Sequence, residues 1–194
     1  RLAQKLQKAL VPTELSLLQG FEVSNKFVPG THQGGDFFDY LELADKMRFV
    51  VFLSSCSGYT LSSMLLSALI RFSGLAEARR GLSPEKAVAA ILSEIQGSLT
   101  AKDEINLFYA LFDRRSFQMS YCGIGLTYAT LQQHGKSALK NLNAGAKEVH
   151  RGSNLEELKV NTIELQPLDR IILASAGVVL SQNEANQFFG SSGI

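Results

Sequence analysis

The pattern of apolar and polar positions predicts a chain that alternates between sheet and helix. Leu2, Leu6, Ala9 and Leu10 recur at three- and four-residue spacings, placing them on one face of a short helix that Val11-Pro12 ends. Strand-like runs follow at Phe21 to Phe27, Phe37 to Leu43 and Met47 to Leu53, the last two separated by the turn signal Ala44-Asp45-Lys46. Thr60 to Ala78 is rich in Leu, Ala and Met, with Leu61, Leu65, Leu69 and Phe72 spaced as the core-facing stripe of a buried amphipathic helix. Gly81 closes it. Ser83-Pro84-Glu85 places a capping serine before a first-turn proline, and Ala87 to Leu99 reads as a second helix. Leu107 to Phe112, Gln118 to Cys122, Tyr128 to Gln132, Val160 to Glu164 and Arg170 to Leu173 are strand-like. Strands, two helices and more strands predict an α+β domain, with sheets packed together and helices over an outer face.

Composition narrows the classes only a little. The 194 residues are 45% hydrophobic, enough for one domain with a real core. Nineteen Lys and Arg against eighteen Asp and Glu leave a formal charge of +1, so no overall field recruits nucleic acid or an anionic membrane. The apolar runs near Phe49 to Leu53 and Ile171 to Leu180 are far shorter than the roughly 18 residues of a membrane span. Cys56 and Cys122 have neither a close partner nor metal-ligand spacing, which suits reduced thiols and a cytoplasmic setting.

Several motifs, taken in order, resemble the SpoIIE/RsbU-like branch of the bacterial metal-dependent protein phosphatases, relatives of protein phosphatase 2C. Ala3 to Pro12 is similar to that family's leading helix, which ends in "LLP". Gly34-Gly35-Asp36-Phe37-Phe38-Asp39 resembles its GGDFYD motif, the most specific signal in the chain. Asn106 to Asp113 resembles the FxTLFYGVLD strand, and Leu168 to Leu173 the "PGDxLLL" strand. The resemblance implies a protein phosphatase 2C-like α/β sandwich of antiparallel sheets covered by helices. It also implies a division into a linker helix at residues 1–12 and a phosphatase-like domain at 13–194 that lacks the family's C-terminal helix and strand.

Family members hold two Mn²⁺ or Mg²⁺ ions with carboxylates, and the metals activate the water that attacks phosphoserine. Hard divalent cations need oxygen ligands, so the aspartates are a chemical requirement. Of the positions this chain covers, Asp36 alone keeps its acid. The GDxSGxG turn reads Ser54-Ser55-Cys56-Ser57-Gly58-Tyr59-Thr60, with Ser55 where the metal-bridging carboxylate belongs and Cys56 beside it. The TDG turn reads Ser175-Ala176-Gly177, with Ala176 in the ligand position. Cys122-Gly123-Ile124-Gly125-Leu126 stands where the family has "ANAGHPP", without its polar Asn and His. The family's closing acid pair is not reached, since the sequence ends at Ile194 shortly after Phe188-Phe189-Gly190.

A neutral hydroxyl and a methyl group cannot hold two adjacent dications. The expectation is a pseudophosphatase with no catalytic residue, no resident cofactor and at most a vestigial metal contact at Asp36, helped by Asp39 or Asp113. Ser55 and Ser57 read as turn residues rather than nucleophiles, and Cys56 as a buried small hydrophobe. His32, His134 and His150 are dispersed, and Lys136, Lys140, Lys147 and Arg151 read as a solvated loop. The resemblance implies a protein partner in bacterial signalling and stress-response regulation: a STAS-type anti-sigma factor antagonist, a sister phosphatase, or a second copy in a homodimer. The alternative is a Mn²⁺- or Mg²⁺-dependent phosphoserine phosphatase acting on such an antagonist.

Overall fold

The computed structural model describes residues 18–28, 35–57, 61–100, 103–143 and 153–190. The helix expected over Leu2 to Leu10 lies outside them. Chain order is β1 (Phe37–Glu42), β2 (Arg48–Cys56), α1 (Leu61–Arg80), α2 (Pro84–Ile95), β3 (Ile105–Asp113), β4 (Gln118–Ile124), β5 (Tyr128–Gln132), β6 (Leu139–Asn141), β7 (Asn161–Glu164), β8 (Arg170–Ala174) and a short α3 (Ala176–Val179). The strands form two antiparallel sheets, ordered β1-β2-β3-β4-β7 and β6-β5-β8.

Alternation along the central strands divides the core in two. On β2 and β3, Val50, Phe52, Cys56, Ile105, Leu107 and Tyr109 face the helices, where they meet Ile70 of α1 and Ile91 and Leu92 of α2. Phe49, Phe108, Ala110 and Phe112 point the other way, into the space between the sheets, against Ala129 and Leu131 of β5 and Ile171 and Leu173 of β8. This is the α+β sandwich that the pattern predicts, with helices over one outer face.

The β1–β2 turn forms for local reasons. Lys46 adopts φ 53°, its N–H bonds the Leu43 carbonyl, and Asp45 accepts from the N–H groups of Met47 and Arg48. Gly81 at φ 65° ends α1, the left-handed position that favours glycine.

Four local expectations are corrected. Residues 21–28 make no strand: Phe21 and Val23 bury against the inter-sheet core while their backbone stays outside both sheets. Ser83 does not cap α2 with its side chain, because its hydroxyl bonds Glu85 Oε1 at 2.5 Å instead. The second helix ends at Ile95 and continues to Ser98 as a 3₁₀ turn.

The largest correction concerns α1. Leu65, Leu69 and Phe72 are 55%, 52% and 59% exposed, while Ser63, Ser67, Ser73, Gly74 and Glu77 face inward. Close helix–sheet approach explains the inversion, since a Cβ on Gly74 would stand 2.7 Å from the Phe52 ring. Small residues let α1 lie against β2, and the bulky stripe is turned outward.

Candidate functional site

The candidate site sits at one end of the cleft between the sheets. Register sets its floor: Phe37 pairs with Ser54, and Ser55 with Asn106. Phe37 and Cys56 belong to the helix-side core, so alternation turns Asp36, Ser55 and Asn106 toward the opposite, inter-sheet face. β8 runs in from the second sheet and hands over to α3 through Ser175. A Cβ on Gly177 would stand 3.5 Å from Asp36 Oδ2 and 3.7 Å from Ser175 Oγ. The fold therefore brings Asp36, Ser55 and the Ser175-Ala176-Gly177 turn to one place.

Gly35 holds Asp36 there by close backbone approach. A Cβ at Gly35 would meet the Cys56 carbonyl oxygen at 2.7 Å and Cys56 Cβ at 2.8 Å, so only glycine fits. The Gly35 carbonyl accepts from the Cys56 N–H at 3.2 Å and from the Ser67 hydroxyl of α1.

Cys56 itself points away from the cleft, into the helix-side core. Burial, the largest cause, pushes its thiol up to about 11; a hydrogen bond from Ser67 opposes this, and the negative charges of Asp36 and Asp103 add to it. A thiol of that kind is protonated at neutral pH and inert as a nucleophile. Cys122 is pushed up to about 12, chiefly by burial and then by the charge of Glu85.

The expected helpers of Asp36 are elsewhere. Asp39 lies on the opposite face of β1, buried, with its Oδ2 2.8 Å from Arg71 Nε of α1. Asp113 is the last residue of β3, at the far end of the sheet, about 26 Å from Ile105 at the rise of an extended strand. Neither can share a ligand with Asp36.

Two asparagines that the sequence reading did not single out shape the adjoining loop. Asn106 Oδ1 accepts the Leu126 N–H at 2.6 Å, beneath Gly125 at φ 62°. Asn143 donates its amide to the Gly125 carbonyl at 3.1 Å and to Thr127 Oγ1 at 2.5 Å. Its Oδ1 stands 1.7 Å from where a Cβ on Gly123 would be. An amide from a distant loop thus occupies the space beside Gly123, and Leu126 is left exposed at the cleft end. Asn106 opens a strand motif and was open to notice; Asn143 carries no local signal.

At the three matched positions there is one carboxylate, one hydroxyl and one methyl, and two dications need several anionic oxygens between them. Among the described residues no three His, Cys, Asp or Glu side chains gather so as to hold a metal.

Two packed antiparallel sheets with a helical layer on one side, and a cleft-end turn built on Gly35-Asp36, define a phosphatase domain of the protein phosphatase 2C type. The chain belongs to the SpoIIE family: the family model of Stage II sporulation protein E (SpoIIE) matches residues 45–193. Solved structures agree on the fold. The RsbU and RsbW domains of a Mycobacterium tuberculosis protein superpose with a TM-score of 0.66 at 20% identity, over 84% of this chain and 44% of that one. The SiaA-PP2C domain of Pseudomonas aeruginosa gives 0.62 at 21% identity, over 82% and 63%. The phosphatase domain with a regulatory fragment of SpoIIE from Bacillus subtilis gives 0.60 at 15% identity, over 75% and 42%. The chain thus spans less than two thirds of each of these proteins. Another structural relative, RsbX, was solved in complex with magnesium. No curated protein matches the chain. No helix among the described residues is long and apolar enough to cross a membrane.

Proposed function

We propose that this domain keeps the phosphatase fold without its dinuclear chemistry and acts in bacterial signalling by binding a regulatory protein in the cytoplasm. The observation that carries the reading is the meeting of Asp36, Ser55 and the Ala176-Gly177 turn at one cleft end, where a single carboxylate faces a hydroxyl and a methyl. One such acid supplies too little negative charge to hold two dications side by side or to lower the pKa of a bound water. The partner class is a STAS-type anti-sigma factor antagonist or a sister phosphatase, held without turnover. Residues 1–12 serve as the linker helix and the rest as the binding domain.

The second reading, a weak Mn²⁺-dependent phosphoserine phosphatase, is favoured by Asp36 itself and by Asp103, whose charges both reach the Cys56 thiol. An assay with an aryl phosphate and a phosphorylated STAS-type peptide across millimolar Mn²⁺ separates the two. Background rates for wild type and Asp36→Asn alike are expected. Metal-dependent turnover that Asp36→Asn abolishes would establish the enzyme.

A further inference from the structure

At the end of the sandwich opposite the cleft end, two bulky apolar side chains are exposed on backbone that suits glycine. Phe117 closes the β3–β4 loop at φ 51° and is 58% exposed. Leu168 takes φ 70° and is 71% exposed, in the third position of the turn from Gln166 to Asp169, after Pro167. Turns with proline second and a positive φ third ordinarily carry glycine there. A bulky residue in the left-handed region is strained, and side chains this exposed add little to the core. Strain kept at an exposed place points to a use outside the fold.

The two turns make one pre-formed surface. The Phe117 carbonyl accepts the Leu165 N–H at 2.7 Å, and the Gln166 carbonyl accepts the Asp169 N–H at 3.1 Å. Asp169 Oδ1 accepts the His134 N–H at 2.8 Å, which ties in the β5–β6 turn. The carboxylates nearby are engaged by the fold: Asp169 Oδ2 accepts the Gln166 N–H, Asp113 Oδ1 the Arg115 N–H, and Glu164 Oε1 the Gln166 side-chain amide. Arg115 and Arg170 are exposed and make no ion pair among the described residues. Two apolar side chains flanked by two guanidinium groups therefore face outward, and aromatic and arginine anchors are the composition of protein-binding hot spots.

We infer that Phe117 and Leu168 form a docking surface for an acidic segment of a partner protein, whose apolar side chains pack on them while its carboxylates pair with Arg115 and Arg170. The hydrogen bonds between the turns hold this surface in shape, so docking on it costs little ordering. β3 and β8 each run their full length between these turns and the cleft end, so a partner held here leaves Asp36, Ser55 and Ala176 uncovered.

Selection of short random peptides, displayed on phage, against the full chain tests this. Peptides that combine Asp or Glu with Leu, Ile or Phe are expected, and Phe117→Gly with Leu168→Gly is expected to weaken them about tenfold or more. Glycine suits both positions, so that variant keeps the fold. Arg115→Ser with Arg170→Ser is expected to weaken the same peptides about tenfold and to flatten their salt dependence. Failure to enrich any peptide, enrichment without acidic residues, or binding indifferent to the glycine variant overturns the assignment. So does sedimentation showing a wild-type dimer that the glycine variant loses, since the occupant would then be a second copy. Binding to phosphatidylserine vesicles that the glycine variant loses overturns it too, in favour of a lipid surface.

Discussion

Asp36 Oδ2 lies 3.5 Å from the point that a Cβ on Gly177 would occupy, although Asp36 leads into β1 of one sheet and Gly177 sits in α3, after β8 of the other. A Cβ on Gly177 would make only ordinary van der Waals contacts on a backbone without positive φ, whereas one on Gly35 would be jammed against the Cys56 carbonyl oxygen at 2.7 Å. Gly177→Ala should therefore change stability by less than about 0.5 kcal/mol, and Gly35→Ala should cost about 2 kcal/mol through overpacking. Urea unfolding of the two variants checks the contrast.

Metal binding follows the charge at the cleft end. Millimolar Mn²⁺ should leave the melting temperature of the wild type within about 1 °C, because little binding means little mass-action stabilisation. Ser55→Asp with Ala176→Asp should restore two acids beside Asp36. Manganese at a hundred times its dissociation constant then adds about 2.7 kcal/mol, which is about 5–10 °C for a domain of this size. Thermal melts with and without manganese read both outcomes.

The outward stripe of α1 should tolerate truncation. Leu65→Ala and Leu69→Ala should each change stability by about 0.5 kcal/mol or less, as surface positions do. Ile70→Ala, one residue away and fully buried, should cost about 3 kcal/mol. Chemical denaturation of the three variants would reveal a buried stripe if the order were reversed.

Both thiols should give the domain an alkaline limit. Cys56 and Cys122 are raised from 9.0 to about 11 and about 12, so each contributes stability that is complete below pH 9 and lost as pH rises toward those values. Each thiol accounts for a slope of about 1.4 kcal/mol per pH unit in that window. Urea midpoints should be flat from pH 7 to 8.5 and fall above pH 9, less steeply in Cys122→Ala. At pH 8, a thiol reagent should label the native protein far more slowly than the unfolded chain.

Much of the fold was legible because periodicity reports local burial. Tyr128–Gln132 has the bounds its alternation predicts, and the turn at Asp45 forms through side-chain bonds that the residue types foretell. The reading failed where burial was decided by a neighbour. The Leu65, Leu69 and Phe72 spacing describes an amphipathic helix equally well whichever face looks inward. Gly74 against Phe52 decided the matter. Phe21 and Val23 carry strand-like alternation, yet they bury their side chains without pairing their backbone.

The candidate site divides the same way. Sequence alone determined which groups Asp36, Ser55 and Ala176 offer: a carboxylate, a hydroxyl and a methyl. Tertiary structure alone decided its company. Alternation across β1 sends Asp39 to Arg71 on the far face, strand length carries Asp113 to the opposite end of the sheet, and a loop brings the Asn143 amide beside Gly123. Side-chain type is a local property that the chain carries everywhere, whereas which groups meet depends on register and layer packing, and those arise only when distant strands pair.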